Sequence, residues 1–158
     1  MDVAVRDLAE DDRAAWEPLW AVYLEHYGED LPAPVTDATW ARVTGADPRM
    51  HGIGAFAGGR LVGVAHYVLG PSTWDVADDC YLEDLVVAPD VRGRGVGRAL
   101  IDELRRRGLA GGWRRVHWLT EESNATARRL YDAVGTLTPY VRYEIDLAGD
   151  GSGSARTG

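Results

Sequence analysis

Lysine and glutamine are absent from this chain of 158 residues, asparagine occurs once, at Asn124, and cysteine once, at Cys80. Without lysine there is no Schiff-base amine, no P-loop lysine and no kinase strand lysine. A single thiol excludes an intramolecular disulfide framework and a multi-thiolate zinc site. No apolar run reaches the ~18 residues of a membrane span. The N-terminus from Met1 to Asp7 lacks the basic region and following apolar run of a secretory signal. Basic charge is scarce and of one kind, because all 17 basic residues are Arg against 25 acids, for a net charge of −8. Phosphate contacts need a basic surface, so nucleic acid is not an expected partner. A cytoplasmic protein with no membrane partner is the expectation. His26, His51, His66 and His117 show no metal-ligand spacing, and no metal is assigned.

The length fits one domain with a substantial core. The charge is uneven: residues 1–91 carry 17 acids and five Arg, whereas residues 92–158 carry eight acids and 12 Arg. Such a split is either chance clustering on a solvated surface or the mark of one cation-preferring and one anion-preferring surface.

Hydrophobic spacing gives the element order. Val3, Val5 and Leu8 suggest a first strand. Trp16, Leu19, Trp20, Tyr23, Leu24 and Tyr27 recur at helical spacing behind an Asp12 cap, with Pro18 as a potential break. Thr36-Asp37 is positioned to cap a short helix through Trp40 and Val43. Ile53 to Ala57 and Leu61 to Leu69 flank Gly58-Gly59 as a β-hairpin, and Gly70 to Asp79 reads as a loop. Tyr81 to Ala88 is a strand ended by Pro89. Val96, Leu100, Ile101, Leu104 and Leu109 mark a helix, and Val116 to Leu119 a strand. A helix then begins at Ser123 and ends at Gly135, and Tyr140 to Leu147 alternates as a final strand. The tail, 148–158, is Gly/Ser-rich and expected to be disordered. The order implies an α/β (α+β) layer fold on a mixed sheet, one domain over residues 1–147.

The strongest local signal lies between Leu85 and Leu100. The apolar strand end Leu85-Val86-Val87 feeds Arg92-Gly93-Arg94-Gly95-Val96-Gly97-Arg98, which opens a helix. Such a loop directs several backbone N–H groups to one spot beside the positive end of a helix dipole. Arg92, Arg94 and Arg98 add forked donors suited to phosphate. The glycine spacing does not fit the dinucleotide fingerprint, and Walker A fails for want of Lys. A pyrophosphate is the natural ligand; the plainer alternative is a turn that only joins strand to helix.

Arg92-Gly93-Arg94-Gly95-Val96-Gly97 resembles the R/Q-x-x-G-x-G/A loop of the GNAT superfamily of N-acetyltransferases. Tyr81-Leu82-Glu83-Asp84-Leu85-Val86-Val87 and Trp118-Leu119-Thr120-Glu121-Glu122-Ser123-Asn124, followed by Ala127, Leu130-Tyr131 and Gly135, resemble the flanking segments of its polyamine and histone acetyltransferase branch. The resemblance implies a largely antiparallel central sheet of six to seven strands flanked by helices. It implies acetyl-CoA as co-substrate, an amine as acceptor, and a homodimer.

By the same resemblance, Leu85, Val86 and Val87 pair with the pantetheine arm, and the loop from Arg92 to Arg98 holds the pyrophosphate. Asn124 matches the residue that bonds the arm; as a residue type it equally suits a helix cap. Glu83 matches the carboxylate that takes the amine proton, and the alternative is a strand-end charge facing water. Asp84, with Glu83, would bind the acceptor, and in a regular strand it points to the opposite face. Tyr131 matches the general acid beside the CoA sulfur, or is a core aromatic. The resemblance departs after Gly135, where Thr136 stands in place of a frequent aromatic. A small amine or polyamine acceptor is favoured. Acetylation of a protein lysine or N-terminus, and a non-catalytic acyl-CoA sensor, are the alternatives.

Overall fold

The computed structural model describes residues 1–147, so the tail expected to be disordered lies outside the described residues. Two compact units are present, one of residues 1–119 and one that begins at Thr120. Among the described residues, no helix is long and apolar enough to cross a membrane.

The first unit is a twisted sheet in strand order β1-β2-β3-β4-β5, formed by Ala4–Asp7, Met50–Ala57, Arg60–Ser72, Asp75–Val87 and Arg115–His117. The first four strands are antiparallel, and β5 lies parallel to β4. A parallel neighbour needs a crossover, which the helix Val96–Gly111, here α3, provides. Helices α1, Arg13–His26, and α2, Ala33–Ala41, precede the β2–β3 hairpin. His66 on β3 touches Trp16 of α1, and a Cβ at Gly63 would lie 2.7 Å from Val96 of α3. Residues three apart on a strand face opposite sides, so α1 and α3 cover opposite faces of the sheet. The absence of a side chain at Gly63 is what lets the start of α3 sit this close.

The helical stripe is as expected: Trp16, Leu19 and Trp20 are buried, and Trp16 packs on Trp20 and Trp40 at ring-centroid distances of 5.6 and 4.9 Å. Pro18 leaves α1 unbroken. The carbonyl its missing N–H would have served belongs to Ala14, which is exposed and can take water. Asp12 starts α1 without capping it; its carboxylate accepts the Ala9 N–H and pairs with Arg6. Thr36 and Asp37 fall inside α2, which begins three to four residues earlier behind Pro32, with Pro34 in its first turn.

The Gly58-Gly59 turn joins β2 to β3 as expected, both residues at positive φ. The segment 70–79, by contrast, is strand. Ser72 pairs with Asp75, and only Thr73-Trp74 turns. Pro71 lies at an irregularity between Gly70 and Ser72, where the ladder does not need its missing N–H. Of the acids there, Asp79 is taken up in pairing, holding Arg114 at 2.6 Å and Arg115 at 3.1 Å. Leu109 falls off the apolar face of α3 and is exposed.

The second unit holds α4, Ala125–Val134. The expected final strand does not form: residues 140–147 carry no regular structure, and Tyr140, Val141, Tyr143, Ile145 and Leu147 are 75–92% exposed. The sheet therefore has five strands, not six to seven. Alternation states which side a strand would bury, but a strand also needs a partner edge, which its own sequence does not supply.

Candidate active site

Strand β4 organises the site. Its antiparallel ladder with β3 breaks between His66 and Tyr67: His66 pairs with Asp84 and Tyr67 with Leu82, leaving Glu83 as an extra residue. In a regular strand Leu82 and Asp84 would share a face. Because Tyr67 and His66 are adjacent and face opposite sides, this β-bulge sets Leu82 and Asp84 on opposite sides. Leu82 is buried with the α3 side, Asp84 turns to the α1 side, and Glu83 is exposed at the bulge. The expectation of simple alternation between Glu83 and Asp84 thus rests on a regularity that β4 lacks here.

Past the bulge, β4 has an open edge. Among the described residues, β5 pairs with β4 only over Asp79, Cys80 and Tyr81. The N–H of Ala88 bonds Val62 on the β3 side. Backbone groups of alternate residues point to alternate edges, so Leu85 and Val87 turn their N–H and C=O to the open edge, whereas Val86 bonds back to Val64. The Val87 carbonyl there accepts Arg92 Nε at 3.3 Å.

At the end of β4 a short turn, Pro89–Val91, leads to Gly93 and Gly95 at φ 76° and 86°. Both values lie in the left-handed region that glycine occupies without strain. A Cβ at either would meet no protein atom within 4 Å, so the space beside the loop is open. The first helical bond of α3 runs from Ala99 N–H to Gly95 C=O. The N–H groups of Val96, Gly97 and Arg98 precede it and have no intrahelical acceptor. Arg92, Arg94 and Arg98 are exposed and, among the described residues, form no ion pair. Open space, unbonded amides at a helix N-terminus and three guanidinium groups without a carboxylate partner fit a pyrophosphate.

On the α1 face, Asp84 is held by side chains. Its Oδ2 lies 2.9 Å from His66 Nδ1, and His66 Nε2 accepts the Trp16 Nε1–H at 3.0 Å. Tyr23 of α1 lies near Asp84; burial first, then the carboxylate charge, pushes this phenol above its ordinary value, so it stays protonated. Sequence reasoning weighed His66 only as a metal ligand and missed this cluster. The available signal was a lone histidine at a core-facing position between Ala65 and Tyr67. Burial pushes the Cys80 thiol up to about 12, which makes it an inert core group. Among the described residues, no group of three or more His, Cys, Asp or Glu is placed to hold a metal ion.

In the second unit Asn124 caps α4, its Oδ1 accepting the Ala127 N–H at 3.2 Å. This is the capping alternative, and it leaves the amide NH2 as a donor. Tyr131 lies on the same helix and is half-buried.

Residues 6–136 match the model of the acetyltransferase (GNAT) family. The D-amino-acid N-acetyltransferase HPA3 of Saccharomyces cerevisiae is 32% identical over 144 residues, covering 90% of this chain and 89% of that protein. The ribosomal protein bS18-alanine N-acetyltransferase of Escherichia coli is 38% identical over 80 residues, 48% of this chain and 51% of that protein. The fold is similar to that of AAC(6')-Iy in complex with a bisubstrate analog, with a TM-score of 0.78 at 21% identity over 92% of this chain and 99% of that one. A family match across most of the chain makes this protein a member of the GNAT family and an N-acetyltransferase using the family's donor, acetyl-CoA.

Proposed function

We propose that the enzyme acetylates a small primary amine by direct attack within a ternary complex. The observation that carries this reading is the arrangement along β4: an open backbone edge and pyrophosphate loop at one end, and the carboxylates Glu83 and Asp84 just before it. HPA3, similar over nearly the whole chain, is named for acetylating an amino group on a small molecule.

The chemistry follows from what the residues offer. Acetyl-CoA supplies the activated acetyl group. The loop from Arg92 to Arg98 holds its pyrophosphate, and the Leu85 and Val87 amides align the pantetheine arm, with Val87 N–H set to polarise the thioester carbonyl. Asn124 adds its amide donor to the arm. A primary ammonium has an ordinary pKa near ~10.4, so it must lose a proton before it attacks. Glu83, at the wet bulge, takes that proton through water. The amine nitrogen then forms a bond to the carbonyl carbon, the carbon–sulfur bond breaks, and the thiolate takes a proton from the Tyr131 hydroxyl.

The test is thiol release from acetyl-CoA with small mono-, di- and polyamines, amino acids of both hands, and peptides with a free N-terminal alanine or a lysine. Turnover is expected with a small amine and little with peptides. Turnover confined to a peptide overturns the small-amine reading in favour of protein acetylation, and CoA binding without any turnover overturns catalysis of amine transfer.

A further inference from the structure

Most carboxylates with a partner in this molecule meet arginine: Asp12 with Arg6, Asp79 with Arg114 and Arg115, Asp90 with Arg60, Glu103 with Arg106 and Arg107. Asp84 does not. Its side chain is 17% exposed, about as sheltered as that of Asp79, yet no arginine pairs with it among the described residues.

The partner it has, His66, is 1% exposed and held at both ring nitrogens. An indole N–H can only donate. His66 Nε2 must therefore be the acceptor for Trp16, which puts the ring proton on Nδ1, facing Asp84. The imidazole is thus neutral and committed: it donates one hydrogen bond to the carboxylate and cancels none of its charge. A neutral donor orients a carboxylate without cancelling its charge and leaves most of its roughly four lone-pair directions open. Stability alone is served better by an arginine, as at Asp79. A carboxylate held by a neutral donor suits a cation that comes and goes.

We propose that His66 is a positioning residue for the acceptor: through its Nδ1–H, with the tautomer set by Trp16, it holds Asp84 as the group that binds the acceptor's ammonium. The proposal rests on the amine-acceptor reading above and adds to it which carboxylate anchors the amine and what fixes that carboxylate. The bulge at Glu83 is the device that makes it work, because it brings Asp84 onto the same face as His66.

The test is steady-state kinetics with the best amine of the panel, run on His66→Leu, His66→Asn and Trp16→Phe, with melting curves to confirm folding. In His66→Leu the KM for the amine should rise about tenfold, with kcat and the KM for acetyl-CoA within about threefold of wild type. His66→Asn places an amide N–H where Nδ1–H stood and should recover most of that loss. Trp16→Phe keeps an aromatic ring in the core and removes the N–H that sets the tautomer, so, in protein whose melting curve shows it folded, the amine KM should rise by a few-fold even if His66→Leu does not fold. An unchanged amine KM in folded His66→Leu, or in Trp16→Phe where His66→Leu does not fold, overturns the proposal while leaving the amine reading intact. A fall in kcat with constant amine KM overturns it as well. Wild type that neither acetylates nor binds any amine, by calorimetry, overturns both.

Discussion

The two ends of the β4 site are built by opposite means. At the donor end the working groups are main-chain amides and flexible arginines contributed by one run of sequence, from Leu85 to Arg98. At the proposed acceptor end the working group is one carboxylate, held by His66 from β3 and, through it, set by Trp16 from α1, residues 18 and 68 positions away in sequence. In the proposed reaction the donor end takes the same pyrophosphate in every turnover, and backbone geometry suffices for it. The acceptor end must select, and side chains from separate elements set its shape and charge.

The largest expected effect lies at neither anchor. Tyr131→Phe should lower kcat by about 100-fold or more, the scale of a lost general acid, and leave CoA affinity unchanged; stopped-assay thiol release and calorimetry check this. Loss of CoA affinity with kcat retained would make Tyr131 a packing residue. Next, Gly95→Val forces a β-branched residue to φ 86° and fills the open space beside the loop. A strain of about 1–3 kcal/mol corresponds to roughly 10- to 100-fold weaker acetyl-CoA binding, with the KM for the amine unmoved. An equal rise in both constants would break the division between the two ends.

The smallest effect separates arginine-clamped carboxylates from Asp84. Arg106, then burial opposed by Arg107, sets the Glu103 carboxyl, which lies at about 2 against an ordinary 4.5. A folded value below the unfolded one stabilises the protein fully above about 4.5 and is lost as pH falls through about 2. Arg106 is mostly exposed, so solvent discounts the gain to about 1 kcal/mol. Glu103→Gln should cost about that much stability at neutral pH and nothing at pH 2, by urea unfolding, with kinetics unchanged. Any effect on amine KM would mean that clamped acids also serve the acceptor.

Much of this was legible in the chain before its fold. The Trp16-Leu19-Trp20 stripe, the Gly58-Gly59 turn, the donor loop and the cap at Asn124 are local patterns, and local backbone preference is enough to produce them. What misled was also physical. The Gly70–Asp79 segment has loop composition, but a hairpin can absorb a proline at a ladder irregularity and pair its Asp79 with Arg114 and Arg115. The Tyr140–Leu147 segment has strand alternation and no strand.

By itself the sequence determined the donor: glycines at fixed spacing, followed by a helix, impose the loop's backbone wherever the chain is folded. Only the tertiary structure decided the acceptor anchor. Register and bulges follow from pairing between strands, and the single extra residue at Glu83 settles which face Asp84 takes. The proton on His66 follows in turn from an indole packed against it from another element. Neither pairing nor packing is a property of the residues one at a time.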